Sequence, residues 1–236
     1  MGFELIAFDA DDTLWHNEPL FLDAKGRFKQ LLAAYHAPEW IEARLDDTEI
    51  RNLRHFGYGI KSFALSMIET AIELTEGRIT GREIQQVLDL AKEMVNAPLR
   101  LLAGAEDTVR SLAQRHRLIL ITKGDLFDQE SKIARSGLGD LFHDVEVVTE
   151  KRRATYEAIV DKHGVAPQAF LMVGDSLRSD ILPVVEMGGH AIHVPYDTTW
   201  RHEEVPQDVV AQYDFAQADG IRDVARIVAQ LDRREK

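Results

Sequence analysis

Asp9 and Asp11 close an apolar run over residues 3–8, with Ala10 between them and Asp12 and Thr13 behind them. Two carboxylates this close can divide nucleophilic and acid/base work between them. Side chains on a strand repeat every second residue. If the extended geometry persists past Phe8, Asp9 and Asp11 project the same way, over the C-terminal edge of the strand. There they repel each other unless a cation lies between them or one carries a proton. A hard divalent ion with oxygen ligands suits the pair, and Mg²⁺ is the first candidate. The plainer reading is that Asp often follows a strand because it hydrogen-bonds the turning backbone. The rest of the chain has to decide.

Three more segments offer polar groups directly after apolar runs. Gly174-Asp175-Ser176-Leu177-Arg178-Ser179-Asp180 follows Phe170-Leu171-Met172-Val173, with Gly174 expected to let the backbone turn. Asp175 is a third carboxylate, and Asp180 lies early in the helix expected next. The alternative is that Asp175 and Ser176 only cap that helix. Thr122 follows residues 118–121 and precedes Lys123-Gly124, where a hydroxyl and loop amides can bind a phosphate oxygen. A strand-end Thr with ordinary β propensity fits equally well. Lys151 follows Val147-Val148-Thr149 at a helix start, where a cation opposes the helix dipole and calls for an electrostatic reason. Arg152 and Arg153 follow it, so a solvated basic cluster competes.

Composition removes several function classes. The 236 residues are 45% hydrophobic and carry a formal charge of −12. That length allows one good core and a smaller subdomain. The acidic balance disfavours nucleic acid and anionic membranes as partners. Cysteine is absent, which removes disulfides, thiolate catalysis and Cys-zinc sites. None of the nine histidines shows a paired zinc-ligand spacing. No stretch is long and apolar enough to span a bilayer, and the N-terminus lacks a signal-peptide pattern. A cytoplasmic location is the expectation.

The elements that must position these groups follow from periodicity. From Thr13 to about Ala97 the pattern is helical. Phe21, Phe28, Leu31, Leu32 and Tyr35 make a first helical segment that Pro38 is expected to end; Ile50, Leu53 and Phe56 continue to Gly57. Another helix runs over 63–74 to a stop at Gly77, and Thr80 opens the next with Glu83 completing a capping box. From Pro98 helices and strands alternate. Strands are expected at 117–122, 144–148, 169–173, 190–194 and 213–215, with a closing helix at 220–231. This alternation predicts an α/β fold, a Rossmann-like parallel sheet core with an inserted all-helical cap. Residues 1–15 and 98–236 are assigned to the core and 16–97 to the cap. In such sheets ligands sit beyond the strand C-termini, where Asp9, Thr122, Lys151 and Asp175 all fall.

Taken in order, Asp9-Ala10-Asp11-Asp12-Thr13, Thr122, Lys151 and Gly174-Asp175 with Ser179-Asp180 resemble the four motifs of the haloacid dehalogenase (HAD) superfamily. The likeness spans most of the chain, and the helical insert looks like that family's C1-type cap. The resemblance implies that Asp9 is a nucleophile forming an aspartyl-phosphate and that Asp11 is the acid/base. It implies Thr122 and Lys151 as phosphoryl ligands. It implies Mg²⁺ held by the Asp9 carboxylate, the Asp11 backbone carbonyl and Asp175, with Asp180 supporting. Dehalogenase members usually lack an acidic residue at the position of Asp11, so Asp11 favours a phosphate ester. Lys123 departs from the Asn that many relatives carry; it either adds positive charge near the phosphate or points into solvent.

Trp15, His16 and Glu18 enter the cap and are candidates to line the pocket, with hinge packing as the alternative. Arg54, His55, Tyr58 and Lys61 flank Gly57 and Gly59 in a turn that reads as a specificity loop or a solvated one. The polar stretch 196–203 is a candidate border of the entrance. The expected activity is Mg²⁺-dependent hydrolysis of a small phosphorylated metabolite. A phosphomutase of the same superfamily and a non-catalytic phosphometabolite-binding protein are the alternatives.

Overall fold

Every second residue of the first strand faces the same layer, and that alternation organises the sheet. Residues 2–234 are described in a computed structural model. Among them, β1 (Leu5–Phe8), β2 (Arg117–Lys123), β3 (Asp144–Val148), β4 (Phe170–Gly174), β5 (His190–His193) and β6 (Ala216–Gln217) form a sheet ordered β3-β2-β1-β4-β5-β6. All its pairings are parallel. The helices are α1 (Glu18–Leu31), α2 (Pro38–Phe56), α3 (Ile60–Leu74), α4 (Gly81–Asn96), α5 (Ala105–Ala113), α6 (Leu126–Ser136), α7 (Arg153–His163), α8 (Leu182–Glu186), α9 (Gln207–Val210) and α10 (Val224–Arg234). The α/β class, the Rossmann-like parallel sheet and the helical insert are as the sequence predicts.

Ile6, Phe8, Leu118, Leu120, Leu171 and Val173 point into one core with Val109 and Leu112 of α5 and Val224 and Val228 of α10. Leu5, Ala7, Ile119, Ile121 and Met172 point the other way, onto Tyr156, Ile159 and Val160 of α7 and Val184 of α8. Both faces are therefore covered, as a parallel sheet requires. Phe8 pairs with Leu120 on one side and Val173 on the other, so β1, β2 and β4 end level with one another. The chain leaves β1 in both directions across the sheet, which makes the β1 C-terminus a switch point where ligands bind.

The chain divides into two compact units. One contains the stretch up to His16, Leu99–Lys123 and everything from Gln129 onward; the other contains Asn17–Pro98 and Gly124–Asp128. The second has its own core of Phe28, Leu32, Ile41, Leu45, Phe63, Met67 and Val87. Thr80 and Glu83 form the expected capping box at the start of α4.

Several local expectations need correction. Pro38 does not end a helix; it opens α2 at a position where its missing N–H costs nothing. The first helix stops earlier, at Leu31. The strand expected at 213–215 lies at Ala216–Gln217, a two-residue edge strand too short to carry a periodic signal. Within the stretch expected as one helix from Leu177, residues Leu177–Ile181 form a π-helical turn before α8 begins.

Candidate active site

The turn after β1 brings Asp9 to the switch point, while Asp11 two residues on has its own set of partners. The Asp9 amide donates to the Val173 carbonyl at 2.9 Å, extending the sheet register by one residue. The chain then folds back: Leu14 N–H reaches Ala10 O at 2.8 Å and Asp12 N–H reaches Trp15 O at 2.7 Å, with Asp12 at φ 61°. The chain thus turns back at Asp12, one residue after Asp11, where the backbone takes a left-handed conformation. The carboxylates that do gather are Asp9, Asp175 and Asp180, which offer oxygens within 4.8 Å of one another.

Lys151 sits among these groups with its side chain 1% exposed. Its ammonium pairs with Asp9 Oδ1 and lies 2.7 Å from Asp180 Oδ1. It is thus no solvated lysine. Burial alone pulls its pKa down, yet Asp180 and Asp9 outweigh that and raise it, so it stays charged. Thr13 is fully buried; its hydroxyl accepts from Asp175 N–H at 3.0 Å and lies 3.2 Å from both Asp9 Oδ2 and Asp175 Oδ1. Having one proton, it donates to one of them at a time.

Burial pushes the Asp9 carboxyl up to about 7, with Lys151 opposing and the Asp180 and Asp11 charges adding to the rise. Burial, with the Asp9 and Asp180 charges, likewise holds Asp175 well above the usual carboxylate range. One ammonium does not balance three gathered carboxylates, two buried and one half-buried. An oxygen-only donor set with excess negative charge fits a hard divalent cation such as Mg²⁺.

The loop that carries Asp175 and Asp180 is shaped by two residues. Gly174 is required for closeness rather than for turning: a Cβ there would run into the Asp180 carboxylate. Pro183 has no N–H to offer the Ser179 carbonyl one turn back. The backbone widens, with Leu182 N–H bonding Leu177 O, and the Tyr156 hydroxyl donates to Ser179 O at 2.9 Å instead. Asp180 Oδ2 accepts from Ser176 N–H at 3.1 Å, closing the turn on itself.

Asp11 is held by four contacts. Its Oδ1 accepts from the Trp15 indole at 2.7 Å and its Oδ2 from Gln129 at 2.9 Å, while Lys132 lies 3.0 Å from both oxygens. Gln129 and Lys132 are three residues apart on α6 and share a face. Thr122 is buried at the end of β2, its hydroxyl 3.4 Å from the Lys123 carbonyl. Lys123 points neither into solvent nor to an open site: its ammonium lies 2.6 Å from Glu203 Oε1 and 2.7 Å from Ser179 Oγ.

Trp15, expected as a pocket or hinge residue, is an Asp11 partner. His16 Nδ1 shares a 2.7 Å hydrogen bond with the Tyr196 hydroxyl. Glu18 lies in the first turn of α1. Within the helical unit, Arg54 and His55 end α2, Gly57 and Gly59 take positive φ around Tyr58, and Lys61 opens α3. Lys61 pairs with Asp125 at 2.9 Å and lies over the Phe127 ring. These residues belong to the other unit and are not among the gathered carboxylates.

The sequence does not single out Gln129, Lys132 or Tyr156; it offers Ser176 as a helix cap, Ser179 within the last motif and Glu203 within the stretch 196–203, without the contacts they make. The one available signal was Gln129 and Lys132 at helical spacing behind Thr122. A second acidic cluster, Asp144, Glu146 and His163, is not a comparable cation site. Lys162 already lies 3.0 and 2.6 Å from its two carboxylates. Arg117 donates to His163 Nδ1 at 2.5 Å, which leaves the proton of neutral His163 on Nε2, the atom a metal would need.

With this geometry in hand, comparisons with known proteins place the chain. A family model described as haloacid dehalogenase-like hydrolase matches residues 3–188. This chain belongs to the haloacid dehalogenase-like hydrolases. A haloacid dehalogenase-like family hydrolase from Xanthomonas campestris is 38% identical, with 99% of this chain and 93% of that one covered and a TM-score of 0.87. A predicted phosphoglycolate phosphatase from Haemophilus somnus 129pt shares the fold at 19% identity, covering 95% and 97%, with a TM-score of 0.65. A 2-haloacid dehalogenase from Pseudomonas syringae pv. tomato DC3000 does so at 20% identity, covering 97% and 99%, with a TM-score of 0.62. A search of curated proteins finds no match. The last two likenesses carry the fold only, so the chemistry of this haloacid dehalogenase-like hydrolase has to be argued from its own residues. Among the described residues no helix is long and apolar enough to cross a membrane.

Proposed function

We propose that this haloacid dehalogenase-like hydrolase cleaves the phosphate monoester of a small metabolite through an aspartyl-phosphate on Asp9. One observation carries the reading. Asp9 shares a buried site with Asp175, Asp180 and Lys151, while a second carboxylate, Asp11, is held separately but near enough for its charge to raise the Asp9 pKa. Displacing a halide from carbon needs no proton for the leaving group. Displacing an alkoxide from phosphorus does, and we assign that proton to Asp11 in its protonated form.

In the first step an Asp9 oxygen bonds to phosphorus and the bond from phosphorus to the ester oxygen breaks. The leaving oxygen takes a proton from Asp11, and an alcohol departs. In the second step Asp11 takes a proton from water, the water oxygen bonds to phosphorus, and the Asp9 oxygen is released with inorganic phosphate. Lys151 holds Asp9 in place and offsets charge on the phosphoryl oxygens, and Thr122 offers them a hydroxyl. Magnesium, held by Asp9, Asp175 and the Asp11 carbonyl with Asp180 in support, would supply positive charge to the phosphoryl group and bring down the Asp9 pKa. Lys123 is left out of this scheme, because Glu203 already satisfies it.

The test is turnover of an aryl phosphate with and without Mg²⁺, beside chloride release from 2-chloropropionate. Mg²⁺-dependent phosphate release with no chloride release supports the reading. Chloride release without phosphatase activity replaces it with a dehalogenase.

A further inference from the structure

We propose that Glu203 is a positioning residue for the cation site, acting through the turn that carries Asp175 and Asp180. The inference rests on the reading of Asp9, Asp175 and Asp180 as the carboxylates of that site.

Glu203 lies in a short helical turn after β5, at the end of the polar stretch 196–203 that the sequence offers as a border of the entrance. Its carboxylate nevertheless reaches the centre of the site's framework. Oε2 accepts from the Ser176 hydroxyl at 2.5 Å and the Ser179 hydroxyl at 2.6 Å, and Oε1 pairs with Lys123 at 2.6 Å. Ser176 Oγ in turn accepts from Ser179 N–H at 3.0 Å, and Lys123 also donates to Ser179 Oγ at 2.7 Å. One carboxylate thus takes both hydroxyl protons and the ammonium, fixing the residues that lie between Asp175 and Asp180.

The arrangement is mostly buried, with the side chains of Lys123 and Glu203 14% and 12% exposed. Burial raises the Glu203 pKa, but Lys123 and the hydroxyl donors outweigh it and bring the group down to about 2. Glu203 is therefore a fixed anion at neutral pH. Without it, two hydroxyls and an ammonium lose their shared acceptor in the turn whose ends must present oxygens to one ion. Partners that orient metal ligands from outside typically matter by about 10–100-fold in affinity.

The measurement is the Kd for Mn²⁺, read by electron paramagnetic resonance, with the Tm of the cation-free protein beside it. Wild type, Asp175→Asn, Glu203→Gln and the double variant Lys123→Met/Glu203→Met are compared. Glu203→Gln is expected to weaken Mn²⁺ by about 10-fold or more and to lower Tm. The double variant removes the ammonium along with its anionic partner, so its Tm recovers while its Kd stays weak. A lower Tm with wild-type Kd in Glu203→Gln would make the residue merely structural and overturn the proposal. Recovery of Kd along with Tm in the double variant would overturn it too, because Glu203 would then only neutralise Lys123. If Asp175→Asn binds Mn²⁺ as tightly as wild type, the cation site itself is misplaced and the proposal goes with it.

Discussion

Lys132 places its ammonium 3.0 Å from each carboxylate oxygen of Asp11, from a helix that follows a different strand. The residue proposed as acid/base is therefore also half of a largely buried ion pair, with side chains 7% and 21% exposed. Asp11→Asn removes the counter-charge and is expected to lower stability by about 3 kcal/mol, as when one partner of a buried pair is lost. It is also expected to reduce turnover by about 10²–10⁴-fold, with the loss shrinking as the leaving group becomes more acidic. Asp11→Asn/Lys132→Met separates the two effects. Its Tm should recover and its activity on alkyl phosphates should not. Recovery of both would make Asp11 a structural partner only.

The raised Asp9 pKa makes a prediction for the cation-free protein. The carboxyl moves from 3.8 to about 7 on folding, so the folded state binds this proton more tightly. Its contribution to stability is fully present below about pH 4 and is lost as pH rises through about 7. Urea unfolding in chelator should show Asp9→Asn flattening the decline across that window. A cation competes with the same proton, so Mg²⁺ affinity should increase with pH and level off above about 7. A pH-independent affinity between 5 and 8 would show that Asp9 is not a ligand.

Tyr156 and Pro183 form a compensating pair around the Ser179 carbonyl. Tyr156→Phe should cost about 1–3 kcal/mol, the expected penalty for leaving a buried carbonyl without a donor. Pro183→Ala supplies an N–H one turn on. In that background Tyr156→Phe should cost less, and urea denaturation of the four chains gives the coupling directly. Strict additivity would show that the proline does not impose the tyrosine's role.

The sequence made the strand ends legible because each polar motif directly follows an apolar run. Asp9, Thr122, Lys151 and Asp175 were found that way. The capping box at Thr80 and Glu83 was equally plain, since both of its halves lie within one turn. What stayed hidden depends on contacts far apart in the chain. Lys132 reads as an ordinary charge on an amphipathic helix until the fold sets it against Asp11. Glu203 sits in a polar stretch that reads as a border of the entrance and gives no sign of its contacts with Ser176 and Ser179. Pro38 misled because proline opens helices as readily as it ends the segments before them. Gly174 was recognised as special for the wrong reason: its lack of a side chain makes room for Asp180.

The central claim is covalent phosphorylation of Asp9, and trapping the intermediate tests it most directly. The protein is mixed with Mg²⁺ and an aryl phosphate, quenched during turnover and reduced with borohydride, which converts an aspartyl-phosphate to homoserine. Mass spectrometry of the N-terminal peptide should then show homoserine at position 9, dependent on the phosphate ester and absent from Asp9→Asn. Steady phosphate release with an unmodified Asp9 peptide, or undiminished turnover by Asp9→Asn, would contradict the account.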